Sequence, residues 1–174
     1  MNRLYNPNYL NAALFILMAG AIYFVITTST NLPLQMASHF NAEGIADGFM
    51  SQEGYTNTML ALIVLVPGLL ALTPLGMRKL PANLINIPHK EYWLTPERRE
   101  LTFQTLHRFM SVMACFLLLF LSYVHWLVIQ ANERQPPAMS VLNFFLGMIV
   151  FLLLSGIWSL LLHRQFKLTD PTQV

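Results

Sequence analysis

The sequence predicts an all-α integral membrane protein: a four-transmembrane-helix bundle with a turn-rich external loop and a basic cytoplasmic loop. Three observations carry this. Four stretches of roughly 20 residues contain no Asp, Glu, Lys or Arg, and about 20 apolar residues at 1.5 Å rise cross a hydrocarbon core of about 30 Å. The 174 residues are 55% hydrophobic and only 10% charged, against about 25% charged in soluble domains. The basic residues also fall almost entirely on one side of those stretches. A net charge of +2 with no clustered basic patch argues against a nucleic-acid partner.

The spans are predicted at residues 10–27, 57–76, 109–129 and 141–162. Eleven strongly apolar residues in the third contribute about −3 to −6 kcal/mol to insertion, enough to carry one polar side chain across. The first span is too long for a signal-peptide core and no A-x-A site follows it, so a retained helix is expected. In the second span, Pro67-Gly68 should bend the helix as a packing kink.

Orientation follows from Lys and Arg. With both termini cytoplasmic, Arg3, the loop of residues 77–108 and the tail place nine of the ten basic residues inside, leaving Arg134 outside. The loop of residues 28–56 has no Lys or Arg and carries Glu43, Asp47 and Glu53. It is expected outside.

Small residues let helices approach in lipid, which suggests three facing stripes. They are Ala12, Ile16, Ala19, Gly20 and Tyr23 in the first span; Ser111, Cys115, Leu118, Ser122 and His125 in the third; and Gly147, Phe151, Ser155, Trp158 and Ser159 in the fourth. His125 is an intramembrane ionisable residue and hence a site candidate. It also lies near the outer end beside Tyr123 and Trp126, and an aromatic-belt position at the headgroups is the favoured expectation. The lone Cys115 is expected to be inert packing.

In the external loop, Pro33 suits a first helical position, and residues 34–39 are expected as a short interfacial helix. Residues 41–44 and 46–48 are expected as turns using the freedom of Gly44 and Gly48. His39, Phe40, Asn41, Glu43 and Asp47 crowd within nine residues, and form the candidate ligand- or partner-binding site. His125 and Asn143 rise toward the same side and complete the candidate set. His39, Glu43 and Asp47 are weak metal candidates, because their spacing matches no metal signature. No cofactor is predicted. In the cytoplasmic loop, Lys90, Tyr92, Trp93, Arg98 and Arg99 are expected to anchor at the lipid surface, and Thr95-Pro96-Glu97 to start a helix.

These loop residues carry a resemblance. Leu32-Pro33 with His39-Phe40-Asn41, Gly44, Asp47-Gly48 and Ser51 resembles the motif of a bacterial membrane family, domain of unknown function 1648 (DUF1648). That motif runs roughly L-P-x-H-F-N-x-x-G-x-x-D-G-x-x-S-K with variable gaps. Asn86-Ile87-Pro88, Lys90, Tyr92-Trp93, Pro96 and Arg98-Arg99 are similar to its second block, and the likeness covers about residues 10–99. Gln52 stands where a lysine is common. The resemblance implies a bacterial inner-membrane protein without transferable catalytic residues. Some members are similar to the immunity protein that shields sporulating bacilli from a secreted killing peptide.

The expectation is therefore a binding or accessory membrane protein whose external loop recognises a peptide, a lipid headgroup or another membrane protein. The alternative is an outer-leaflet enzyme or metal-dependent site joining His39, Asp47 and His125. A small transporter is disfavoured, since charged midplane residues and paired broken helices are missing from the sequence.

Overall fold

The computed structural model describes residues 7–167; Arg3, which entered the charge count, lies outside them. The order of elements is α1 (Pro7–Ser29), β1 (Gln35–Phe40), β2 (Ala46–Ser51), α2 (Gln52–Met77), a 3-10 turn (Ala82–Leu84), α3 (Lys90–Trp93), α4 (Pro96–Asn132) and α5 (Val141–Phe166). Four of these helices are long and apolar enough to cross a membrane. The chain is mostly helical but not all-α, because β1 and β2 form an antiparallel hairpin.

Helices α1, α2 and α4 pack on one another, while α5 lies against α4. The inward face of α1 runs through Asn11, Leu14, Met18, Ala21, Val25 and Thr28, spacings of three and four that keep one seam on a helix. The expected stripe of Ala12, Ile16, Ala19, Gly20 and Tyr23 faces away: Ile16 is 72% and Tyr23 70% exposed. Every face of this helix is apolar, so hydrophobicity cannot choose the packed one. The polar residues at its two ends choose it instead.

The expected stripe of α4 holds for Ser111, Leu118 and His125, all fully buried. That of α5 meets α4: Phe151 stacks on Phe120 at 4.7 Å, and Trp158 Nε1 donates to Phe109 O at 2.7 Å. Gly147 fits because the Tyr123 ring occupies the space a Cβ would take. Helix α2 buries Tyr55, Met59, Ile63, Pro67, Ala71 and Pro74 along one stripe, so both prolines are accommodated at the packed face.

Residues 34–39 were expected to be helical, but Gln35–Phe40 is a strand. The decisive contact comes from the last turn of α4. The side-chain amide of Asn132, itself buried, accepts from Ala37 N at 2.8 Å and donates to Ala37 O at 2.9 Å. It thus satisfies both backbone groups of a residue with no exposed surface, an accounting that a buried strand must meet. Tertiary pairing overrides the weak local helix signal. Residues 46–48 are likewise strand rather than turn.

Helix α2 begins at Gln52, where Ser51 accepts from Gly54 N at 3.0 Å. Gln52 donates to the carbonyls of Ser29 and Leu32 at 2.5 and 3.1 Å, closing the C-terminal end of α1. Helix α4 does start at Pro96, yet Thr95 caps it only through its carbonyl, since Thr95 Oγ1 is buried without a partner.

Asn132→Ala strands the buried N–H and C=O of Ala37, at about 1–3 kcal/mol for each unsatisfied group. The hairpin of this variant is expected to open well before the helices unfold. Hydrogen exchange at the Ala37 amide, faster by orders of magnitude than in wild type, is the readout; unchanged protection contradicts the clamp.

Candidate functional site

The hairpin tip is built by Asn41. Its Oδ1 accepts from Glu43 N at 3.1 Å and Ile45 N at 2.9 Å, while its carbonyl accepts from Gly44 N at 2.9 Å. Gly44 has φ +82°, so the expected turn at residues 41–44 is present. Its carbonyl accepts from Met139 N at 2.9 Å, and Ile45 bridges Ala138. The tip is thereby tied to the segment joining α4 and α5.

On the adjoining strands, His39 Nδ1 meets Asp47 Oδ1 at 2.5 Å. Both side chains are exposed, at 73% and 45%. A Cβ on Gly48 would lie 2.8 Å from His39 Cβ, so this glycine makes room for the histidine rather than forming a turn. A carboxylate on Nδ1 fixes the ring's orientation and directs Nε2 outward as the reactive nitrogen. Beneath lies a cleft of about 380 Å³. Its lining combines polar Ser38, His39 and Asn41 with apolar Phe40, Val124, Val128, Phe144 and Phe145.

The other expected members lie elsewhere. His125 is not at an aromatic belt: it is 0% exposed, with Nε2 2.8 Å from Thr28 Oγ1 and Nδ1 2.8 Å from Tyr55 OH. Thr28 Oγ1 donates to Phe24 O at 2.7 Å, which leaves it as the acceptor for His125 Nε2–H, while Tyr55 OH donates to Nδ1. Both ring nitrogens are therefore used within the bundle. Trp126 is 41% exposed, and Tyr123 donates to Asn143 O at 2.7 Å. Asn143 thus serves the α4–α5 contact and does not line the cleft. Glu43 sits in the tip turn, and among the described residues no three His, Cys, Asp or Glu converge as a metal site would require.

At the opposite end, two expected lipid anchors turn inward. Arg99 donates to Arg78 O at 3.2 Å and Leu80 O at 2.5 Å, capping α2. Trp93 Nε1 donates to Phe166 O at 3.1 Å, closing α5. The terminal carbonyls of a helix lack internal donors, and these side chains supply them. Arg98 covers the Tyr92 ring at 3.8 Å, and Lys90 opens α3 after His89, whose φ is 51°. Sequence reasoning missed His107, whose Nδ1 lies 3.0 Å from Ala71 O and whose Nε2 lies 3.1 Å from Asn11 Oδ1. It also missed Asn132 and Tyr55. Their common signal is a polar side chain recurring on the seam of an apolar helix.

Comparison with protein-family models, curated proteins and solved structures gives no match in any of the three. The functional reading rests on these residues.

Gly44→Ala combines a positive φ with a Cβ placed against Met139 O, and a left-handed non-glycine residue alone costs about 1–2 kcal/mol. Gly156 has open space around it. Gly44→Ala is expected to lower the thermal midpoint clearly more than Gly156→Ala; equal midpoints contradict the docked tip.

Proposed function

We propose that this chain is a multi-pass protein of the bacterial inner membrane that recognises a peptide or a partner membrane protein in the cleft beneath His39. The exposed faces of the helices support insertion. Leu142, Ile149, Leu153 and Leu160 of α5 are 50–69% exposed, and a contiguous apolar surface of this kind calls for a lipid or protein covering. The hairpin as the outer end is supported by charge. Among the described basic residues only Arg134 lies near the hairpin, whereas Arg78, Lys79, Arg108 and Arg164 belong to the other end.

One observation carries the binding role. His39 is held by Asp47 in an exposed position, its Nε2 unengaged among the described residues, in the lining of a largely apolar cleft. The arrangement suits a segment that inserts an apolar side chain between Phe40 and Phe144 and presents a hydrogen-bonding or acidic group to the imidazole. Likeness of these residues to the DUF1648 pattern agrees with an outward binding role of the immunity kind. A joint site of His39, Asp47 and His125 is not favoured, because Thr28 and Tyr55 occupy the second histidine.

A photo-crosslinking residue at Phe144 in living cells should trap one discrete adduct. His39→Ala is expected to reduce it by about ten- to a hundredfold, the equivalent of roughly 1.5–3 kcal/mol for a charge-assisted hydrogen bond. Adducts unaffected by His39→Ala contradict the role of the cleft. In parallel, Asp47→Cys should react with an impermeant thiol reagent in intact cells; reaction only after permeabilisation contradicts the orientation.

A further inference from the structure

A groove of about 620 Å³ runs between α4 and α5, with Leu10 of α1 at its margin. Along its length it is apolar, lined by Val112 and Phe116 of α4 and by Leu154 and Ile157 of α5. Its end away from the hairpin is different: Arg108 and Arg164 meet there, with Thr105 and Gln165 beside them. Arg108 Nε is buried and has no hydrogen-bond partner among the described residues. Among the described residues neither arginine pairs with a carboxylate, although Arg78 nearby takes Glu100 at 3.2 Å. Among the described residues, two cations thus line the mouth of an apolar slot with no anion paired to either.

We infer that this groove binds an anionic phospholipid, with the phosphate between Arg108 and Arg164 and one acyl chain along Val112, Phe116, Leu154 and Ile157. Guanidinium groups match phosphate oxygens in a forked geometry, and basic pockets between membrane helices on the cytoplasmic side favour acidic headgroups. Arg108 follows His107, whose bonds to α1 and α2 lie at that end of the bundle, so the phosphate sits at the height where headgroups begin. Trp158, tied to Phe109 O, fixes the groove wall. An adjoining cavity of about 250 Å³ shares Thr105 and Gln165 and adds Arg98. It offers further positive charge to a headgroup and none of the carboxylates that an ammonium would seek. The 620 Å³ of the main groove falls within the about 300–1,000 Å³ common to ligand sites.

The inference rests on the proposed membrane insertion, so its test separates the two. Alkaline carbonate extraction of cell membranes comes first: release of the full chain overturns insertion and the lipid site with it. The retained chain is then purified in detergent, and its thermal midpoint followed with phosphatidylglycerol, phosphatidylcholine or inorganic phosphate. Phosphatidylglycerol alone is expected to raise the midpoint by a few degrees, as selective binding to the folded state requires. The rise should vanish in Arg108→Gln/Arg164→Gln, and also in Ile157→Trp, which fills the slot but keeps both charges. Should the double variant fail to fold, native mass spectrometry of wild type decides instead: retained lipid enriched in phosphatidylglycerol supports the site, and retained lipid at membrane proportions overturns it. An equal rise with phosphatidylcholine, or one that survives Ile157→Trp, overturns the groove. A rise with inorganic phosphate alone assigns a free-anion site and overturns the lipid.

Discussion

Apolar helices side by side have little to fix how far one slides past another, and here hydrogen bonds from two histidines of α4 supply that constraint. His107 and His125 are eighteen residues apart, five turns at 3.6 residues each, so they share one face about 27 Å apart along the axis. At one end His107 reaches Asn11 of α1 and Ala71 O of α2; at the other, His125 reaches Thr28 of α1 and Tyr55 of α2. Each histidine therefore fixes the same two neighbours at a defined height. Unmaking any of these contacts leaves a polar atom facing hydrocarbon side chains, a cost of the order of 1–3 kcal/mol.

The rest of the hairpin end hangs on that frame. From His107 the seam of α4 passes through Ser111, Ala114, Leu118, Leu121, His125 and Val128 to Asn132, in alternating steps of four and three. Its last member is the clamp on Ala37. The periodicity that packs the bundle thus also sets the position of β1, and through the strand register it sets His39 over Gly48. Gln52 joins the end of α1 to the start of α2, so the cleft, lined by the hairpin, α4 and α5, stands on a frame that also includes α1 and α2. This is a rigid mounting for an exposed imidazole, and rigid mounting is what a recognition site needs to limit the ordering cost of binding.

How much was legible in the sequence depends on whether a polar residue marked the position. The four long helices were plain from apolar length, and the inward stripe of α4 was readable because Ser111 and His125 lie on it. The packed stripe of α1 is not legible in its small residues Ala19 and Gly20, because Asn11 and Thr28 decide the face. His125 was misplaced for a geometric reason: its sequence neighbours Tyr123 and Trp126 sit about 100° to 200° around the helix, so they describe a different environment. The turn at Asn41–Gly44 was legible in its residue chemistry. The strand at Gln35–Phe40 was not, because its partner is an amide 95 positions away. Crowding of His39 and Asp47 in the sequence did translate into contact, whereas the addition of His125 and Asn143 required a fold that no local pattern encodes.

The helix register depends on the coupling of His125 to its partners in the bundle. A double-mutant cycle of Tyr55→Phe and His125→Leu, measured by reversible unfolding in mixed micelles, tests it most directly. The two changes are expected to be non-additive by about 0.6–1.7 kcal/mol, the range such cycles give for hydrogen bonds between membrane helices. Additivity within error would show that the histidine fills space without setting helix register, and would contradict the account.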